Sequence, residues 1–262
     1  IYYPNEEYCQ IFHQKPIYGG SLARRPAWLV THYYQVPVLG NLFHERMRFF
    51  DAAEADKQLT REFVQRFVAV HNIKYLILTS IPPPFGDKYK LLRSLIESRF
   101  PITKQWEEKK FVLYELSRPP ADQPLTVDLE QPWGMLYLKR GFGTTGEMGC
   151  WATRAEAEMV LPLRGKARKT LRVEMSPFVY PWAPPQTVEL TLNGHLLGRA
   201  TLRPGFAMYE FAIPASALDG SPVSALRFSF GYCVSPAEKG VSEDRRTLAA
   251  AVRTVEVVTA KD

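Results

Sequence analysis

The first part of the chain, to about residue 118, alternates patterns typical of helices and of strands. From Asp56 to His71, apolar side chains recur with helical spacing along one stripe, and charged side chains occupy the opposite side. Asp56 is suited to an N-cap and Asn72 to a left-handed stop. A second helix is predicted over Lys88–Arg99, and Pro101 follows its end.

Three strands are predicted around these helices. Ile73–Thr79 is apolar at almost every position, as expected of a strand in the middle of a sheet covered on both sides. Thr103–Trp106 and Phe111–Leu116 flank a turn at Glu107–Lys110. Together with the helices they predict a small α/β unit in which helices pack on a sheet.

A proline-rich polar segment marks the domain boundary. The run from Ser117 to Pro124 contains three prolines and no apolar periodicity. We therefore predict an α/β domain over residues 1–118, a linker over 119–124, and a second domain over 125–262.

The second part changes to short runs with two-residue alternation. Asn193-Gly194 separates two of these runs and is a strong hairpin signal. Further turn signals occur at Arg164-Gly165, Pro204-Gly205 and Asp219-Gly220. The pattern predicts an all-β, jelly-roll-like sandwich, so the whole chain is of the α+β class. The predicted strands are Ala157–Leu163, Lys169–Met175, Thr187–Leu192, Leu196–Leu202, Tyr209–Ile213, Ala225–Phe230 and Val252–Val258.

Composition and charge narrow the classes of partner. The 262 residues carry 33 basic and 27 acidic side chains, and 17 of the basic and 12 of the acidic ones lie in residues 1–120. No run reaches the five or six like charges typical of a nucleic-acid-binding arm, so we expect no nucleic-acid partner. A solvated surface explains the excess, and a weak attraction to anionic lipid headgroups is the alternative.

The cysteines and the apolar stretches do not determine the cellular compartment of the protein. Cys9, Cys150 and Cys233 form no C-x-x-C motif, and either a Cys150–Cys233 disulfide or three buried thiols fit their positions. The longest uncharged stretch, Pro26–Phe43, contains too many polar groups and prolines for a membrane-spanning helix. The chain starts at Ile1 without Met, and we interpret it as part of a longer protein.

Motifs for catalysis and for cofactors are absent from the sequence. There is no G-x-S-x-G elbow, no Gly-rich phosphate loop and no histidine spacing typical of a metal site, so we expect no cofactor and no metal. Asp128 and Glu130 alternate along a predicted strand at a separation compatible with a glycosidase pair. Such pairs are common on exposed strands, and we assign them no catalytic role.

Aromatic side chains near loops are the more informative candidates. Trp151, Tyr180 and Trp182 offer flat rings that can cover the apolar face of a sugar, although the same rings can close a sandwich core. Asp244 and Arg245 are candidate polar ligands for a glycan, or parts of a turn in which Asp244 accepts local backbone N–H groups. These five residues are our predicted glycan-binding set.

Several segments resemble the soluble tail of bacterial multi-spanning membrane proteins that are similar to type C, polyprenyl-phosphate-sugar-dependent glycosyltransferases. They are Ile11-Phe12-His13-Gln14-Lys15-Pro16-Ile17-Tyr18-Gly19-Gly20, Lys74-Tyr75-Leu76, Gly141-Phe142, Cys150-Trp151, Leu192-Asn193-Gly194 and Ser242-Glu243-Asp244-Arg245-Arg246-Thr247-Leu248. The match departs from the family at Cys150, where such tails more often carry a polar residue, and over Thr31–Leu42, which is unusually rich in Tyr and Pro.

The resemblance implies an extracytoplasmic location, periplasmic or at the cell surface, and a partner in the protein's own transmembrane region. It implies a sandwich similar to carbohydrate-binding modules, which binds glycan or positions an acceptor. The family's catalytic acids belong to loops between membrane helices, so the resemblance implies no catalytic residue in this chain. A secreted glycan-active hydrolase with an accessory sandwich and a purely structural module are the alternatives.

Overall fold

The computed structural model describes residues 56–79, 86–109, 111–117, 124–163, 165 and 167–259. These residues belong to one compact unit. The opening run of the resemblance, Cys9 and almost all of the predicted linker lie outside the described residues, so the boundary at 118 stays a prediction. No helix among the described residues is long and apolar enough to cross a membrane.

Two helices whose bounds lie within the described residues belong to the first part. Helix α1 spans Arg61–Val70 and helix α2 spans Gly86–Arg99. Thr60 caps α1, because its hydroxyl accepts a hydrogen bond from the Phe63 N–H at 3.2 Å. The prediction of Asp56 as the cap is therefore wrong, since a bend at Leu59 separates Asp56 from α1. Asn72 has a φ of +49° and stops the helix as predicted.

A three-stranded antiparallel sheet packs against these helices. Its strands are β1 Tyr75–Thr79, β2 Ile102–Glu108 and β3 Phe111–Leu116, in the order β1-β3-β2. The Tyr114 hydroxyl of β3 donates to Glu97 of α2 at 3.1 Å, which identifies the face that the helices cover. The prediction that Ile73–Thr79 lies in the middle of a covered sheet is wrong for the described strands, among which β3 takes the middle and β1 forms an edge.

The second part is a β-sandwich of the predicted class. One sheet has the order β11-β10-β13-β8-β5, and the other has the order β12-β9-β14-β7-β6, with β4 also paired to β14. Short 3₁₀ helices occur at Pro132–Tyr137 and Ala215–Ala217. The strands are β4 Leu125–Asp128, β5 Leu138–Arg140, β6 Phe142–Gly146, β7 Gly149–Ala152, β8 Glu156–Leu161, β9 Lys169–Pro177, β10 Thr187–Leu192, β11 His195–Thr201, β12 Ala207–Ile213, β13 Ser224–Phe230 and β14 Ala250–Thr259.

Alternation along the long strands builds the sandwich core. Every second residue of β9, β10 and β13 is buried, because each strand presents one face to the opposite sheet. The buried inner side chains of these strands and of β8 include Ala157, Met159, Leu161, Leu171, Val173, Met175, Val188, Leu190, Leu192, Leu226, Phe228 and Phe230.

The predicted hairpin at Asn193-Gly194 is confirmed. Both residues have positive φ, +50° and +83°, as the tight turn between β10 and β11 requires. The Asn193 side chain also bonds Ala217 O at 3.0 Å, Ser224 Oγ at 3.2 Å and Ala225 N at 2.9 Å. The turn is thereby fixed to the start of β13.

Arg66 of α1 connects the helical part to the sandwich. Its guanidinium stacks on the Trp133 ring, with 4.0 Å from Cζ to the ring centroid, and donates to Thr126 O at 3.0 Å. It also lies 3.4 Å from the Tyr137 hydroxyl and is paired with Glu62 of its own helix. Trp133 therefore serves this contact between the two parts of the chain.

Candidate functional site

Three loops meet at one end of the sandwich. They are the β7–β8 loop, residues 153–155, the β9–β10 loop, residues 178–186, and the β13–β14 loop, residues 231–249. Phe178 N donates to Ala249 O at 3.0 Å, which joins the second loop to the third. The Thr247 hydroxyl donates to Thr153 O at 2.6 Å, which joins the third loop to the first.

Four aromatic rings lie in contact across these loops, and we call them the aromatic row. Trp151 packs edge-on against Phe178, with ring centroids 6.3 Å apart. Phe178 stacks on Tyr180 at 6.2 Å, and Tyr180 meets Tyr232 edge-on at 5.7 Å. Phe178 is buried, whereas the other three rings are partly exposed. The row therefore presents ring surface to solvent on a supported base.

Gln186 holds the loops of the aromatic row together from below. Its side chain is buried, and its amide group makes four hydrogen bonds. Nε2 donates to Tyr232 O at 2.8 Å and to Ala249 O at 3.1 Å, while Oε1 accepts from Thr187 N and from Tyr232 N, both at 3.1 Å. All donor and acceptor positions of the amide are used, so the backbone around Tyr232 is fixed to the base of the neighbouring loop.

Trp182 lies on a tight turn beside the row. Ala183 N donates to Tyr180 O at 3.0 Å, with Pro181 second and Trp182 third in the turn. The φ of Trp182 is +67°, so this is a type II turn whose third position normally takes Gly or Asn. An L-residue with a large side chain is strained there by about 1 kcal/mol or more. The Trp182 side chain is nevertheless 100% exposed.

A cation lies beside the row as well. Lys239 is exposed, and its Nζ is 5.1 Å from the centroid of the Tyr180 ring. A turn at residues 236–240 positions it, with Lys239 N donating to Ser235 O at 3.2 Å. The site thus combines ring faces with one hydrogen-bond donor of positive charge, the kind of group that binds sugar hydroxyl or carboxylate oxygens.

Asp244 and Arg245 lie in the same loop as Lys239, but Asp244 is engaged locally. Its carboxylate accepts from Arg246 N at 2.9 Å and from the Arg246 guanidinium at 2.7 Å. These hydrogen bonds lower the pKa of Asp244 below its ordinary value. Arg245 is exposed. Within the described part of the chain, neither residue contacts a ring of the aromatic row, so their role as glycan ligands stays a prediction.

The structure joins some of the predicted site residues and adds others. Trp151 and Tyr180 are linked through Phe178, and Trp182 belongs to the loop of Tyr180. Sequence reasoning missed Phe178, Tyr232 and Lys239. Phe178 is three residues beyond the predicted strand Lys169–Met175 and two before Tyr180, which was a usable signal. Tyr232 is 54 residues from Phe178, and its approach depends on strand order that the sequence pattern does not contain.

The remaining residues that the sequence analysis considered for catalysis, metal binding or a disulfide have local structural contacts or are free thiols. Asp128 ends β4 and accepts from Glu130 N at 2.9 Å, while Glu130 lies in the following turn and pairs with Arg253 at 3.2 Å. The described residues contain no group of three or more His, Cys, Asp or Glu side chains able to hold a metal ion. Cys150 and Cys233 are free thiols, which decides between the two alternatives for this pair. Burial raises the pKa of Cys150 to about 12.

Comparisons with known proteins give only distant similarity. No protein-family model matches the chain, and no curated protein matches it. Among solved structures, the CBM36-1 domain of a multidomain xylanase from the hindgut metagenome of Trinervitermes trinervoides is 11% identical, with a TM-score of 0.34. That comparison covers 53% of this chain and 100% of the other.

Two more solved structures show the same level of similarity. The C-terminal CBM6 of LamC, a marine laminarinase from Zobellia galactanivorans, is 8% identical, with a TM-score of 0.33 over 52% of this chain and 100% of the other. The insecticidal crystal protein Cry2Aa is 12% identical, with a TM-score of 0.33 over 57% of this chain and 25% of the other. Similarity at this level assigns the chain to none of these groups.

Proposed function

We propose that the sandwich binds glycan at the end formed by its three loops, with the fully exposed Trp182 ring as the main contact and the partly exposed Tyr180 ring beside it. Flat aromatic rings bury the apolar face of a sugar with little loss of conformational freedom. Lys239, beside the Tyr180 ring, supplies a donor for sugar oxygens. In this proposal the chain has no catalytic role of its own.

The conformation of Trp182 is the observation that carries the proposal. Folding gains nothing from a side chain that stays fully in water, and a positive φ is unfavourable for tryptophan. Glycine would occupy the same turn position without strain. A strained residue that contributes nothing to the core is expected where a ligand uses it.

Substitution of Trp182 by glycine tests the proposal, because it separates folding from binding. We expect Trp182→Gly to leave the free energy of unfolding unchanged within about 1 kcal/mol, since relief of strain offsets added backbone freedom. We expect binding to fall about tenfold or more, because a ring face that buries about 100 Å² contributes about 2.5 kcal/mol. Tyr180→Ala is expected to weaken binding of the same glycans.

The measurement is a screen of the whole chain against immobilised neutral and acidic polysaccharides, followed by titration calorimetry with the oligosaccharides that bind. Trp106→Ala is the matched control, because Trp106 is exposed on the three-stranded sheet, remote in sequence from the site. Binding that Trp182→Gly and Trp106→Ala leave equally strong would refute the site. A failure to bind any glycan would leave the loops as a structural or protein-binding surface.

The proposed context is the extracytoplasmic tail of a membrane glycosyltransferase-like protein. The segments of the resemblance, together with a mixed part that precedes a β-sandwich, support it. The tail would present glycan or acceptor to catalytic groups that belong to the membrane part. The sequence that the parent gene encodes upstream of Ile1 tests this context: several hydrophobic spans are expected there, and a purely hydrophilic upstream region would contradict it.

A further inference from the structure

The three-stranded sheet has an apolar face on the side away from the helices. Ile77, Leu113 and Trp106 are direct neighbours across β1, β3 and β2, so they form one continuous row. Tyr75 and Phe111 extend this row along the strands. We call these five residues the open sheet face. The exposed fractions are 63% for Ile77, 45% for Trp106, 41% for Tyr75 and 38% for Phe111.

This exposure is not a by-product of folding the small sheet. Val112, Tyr114 and Leu116 alternate with the exposed residues of β3 and are buried against the helices. The helix side therefore already supplies the core, and polar side chains would serve the other side equally well. A contiguous group of large apolar side chains in water marks a surface that contacts a partner.

Three lysines and two glutamates border the open sheet face at its two ends. Lys74 and Lys104 lie on either side of Glu115, with Nζ–carboxylate distances of 3.7 and 3.9 Å, so two cations share one carboxylate. The Lys74 ammonium is also 4.8 Å from the Tyr75 ring centroid. At the opposite end, Glu108, which is the cross-strand neighbour of Phe111, and Lys109 of the β2–β3 turn are both exposed. Lysine side chains can keep their charge at a polar boundary while their stems lie along apolar surface.

The net charge of residues 56–117, which contain the three-stranded sheet, favours contact with an anionic surface. Residues 56–117 carry eleven basic and seven acidic side chains, a net charge of +4 out of +6 for the chain. Tryptophan and tyrosine favour the boundary between lipid and water, and lysines near that boundary attract anionic headgroups.

We propose that the open sheet face docks on an anionic lipid surface, with Trp106 and Ile77 inserted at the level of the headgroups and the bordering lysines on lipid phosphates. This interaction is separate from the proposed glycan site, because it uses the three-stranded sheet and none of the sandwich loops. The contact holds the three-stranded sheet parallel to the membrane plane.

Vesicle flotation with the whole chain tests the proposal. We expect binding to phosphatidylcholine vesicles that contain about one third phosphatidylglycerol, weaker binding to pure phosphatidylcholine, and release by salt. The double variant Ile77→Ser/Trp106→Ser is expected to weaken binding about tenfold or more, because it removes two large apolar contacts. Lys74→Gln/Lys104→Gln is expected to remove the preference for the anionic lipid.

Leu196→Ser is the matched control, since it removes an exposed apolar side chain from β11 of the sandwich and is expected to leave flotation unchanged. Because all these side chains lie on the surface, the variants are expected to fold, which circular dichroism verifies. Three results would overturn the proposal: no flotation of the wild type, an equal loss in Leu196→Ser, or a wild-type dimer in sedimentation that Ile77→Ser/Trp106→Ser converts to monomer.

Discussion

The amide of Gln186 is the strongest single anchor of the candidate glycan site, and its removal has a calculable cost. Gln186→Ala removes four hydrogen bonds. Ala249 O keeps its bond from Phe178 N, whereas Tyr232 O, Tyr232 N and Thr187 N lose the Gln186 amide as a partner. A protein hydrogen bond contributes about 1 kcal/mol net, and water can reach some of these groups after truncation. We therefore expect the free energy of unfolding to fall by about 2–4 kcal/mol.

Gln186→Glu separates the role of the hydrogen bonds from that of side-chain volume. The new oxygen takes the place of Nε2 and faces the carbonyl oxygens of Tyr232 and Ala249, which can accept but not donate. A protonated carboxyl can still donate to one of them, whereas an ionised one is buried and repelled. Burial and these carbonyls raise the pKa of the introduced carboxyl in the folded state above its unfolded value.

The sign of the pH effect follows from that shift. A group with a raised folded pKa contributes its stability fully below the unfolded pKa and loses it as pH rises through the folded pKa. Relative to the wild type, Gln186→Glu is therefore expected to be most stable near about pH 4 and to lose stability toward about pH 7. Gln186→Ala should show the same deficit at both pH values.

Guanidinium unfolding followed by circular dichroism measures both variants. Gln105→Ala is the control, because Gln105 is exposed on β2 and its truncation is expected to change stability by less than about 0.5 kcal/mol. A deficit below about 1 kcal/mol in Gln186→Ala, or a Gln186→Glu variant whose stability follows pH as the wild type does, would show that the amide does not anchor the loops.

Two further predictions concern contacts outside the site. Arg66→Met should lower the free energy of unfolding by about 1–3 kcal/mol, because it removes the contact with Trp133 and the bond to Thr126 O. Arg66→Lys should recover little of this, and a full rescue by lysine in guanidinium unfolding would contradict the stacked geometry. Glu158 is only 6% exposed, and although burial raises its pKa, hydrogen bonds from Lys139 and Arg140 outweigh burial and lower it. The ionised Glu158 therefore stabilises the fold above its unfolded-state pKa, and this stabilisation is lost as pH falls through its folded-state pKa. We expect Glu158→Gln to be less stable than the wild type by about 1–2 kcal/mol at neutral pH. This difference should shrink below about pH 4 in thermal unfolding, and a gap that stays constant with pH would contradict the assignment.

Strands with a clear two-residue period were predictable, and those without one were not. β10 begins and ends as predicted, and β9, β12, β13 and β14 differ only at their ends. The strands β5 to β7 were missed, because each has only three to five residues and too few alternations to form a pattern. A strand was predicted at Asp128, where β4 ends, but it was wrongly extended to Glu130. Their pairing with longer strands, rather than their own sequence, forms them.

The error at β1 has a different origin. An apolar run shows that both faces of a strand avoid polar side chains, but it does not show what covers each face. Leu78 is buried against the helices, whereas Ile77 is exposed on the other side of the same strand. The sequence pattern was therefore interpreted as internal burial, although an external partner for the second face explains the same residues.

The sequence indicated which types of residue form the candidate site, but not how the fold brings them together. Trp182 shows why. Local rules disfavour a tryptophan at the third position of a type II turn, and burial rules disfavour its full exposure. A sequence that specifies its fold normally satisfies such rules together, so a residue that breaks two of them at once is expected to serve something other than the fold. The buried Phe178 beside it obeys every rule, and it supports the Tyr180 ring through stacking. Residues that serve folding can thus be read from pattern, whereas those that serve binding stand out only when the backbone that holds them is known.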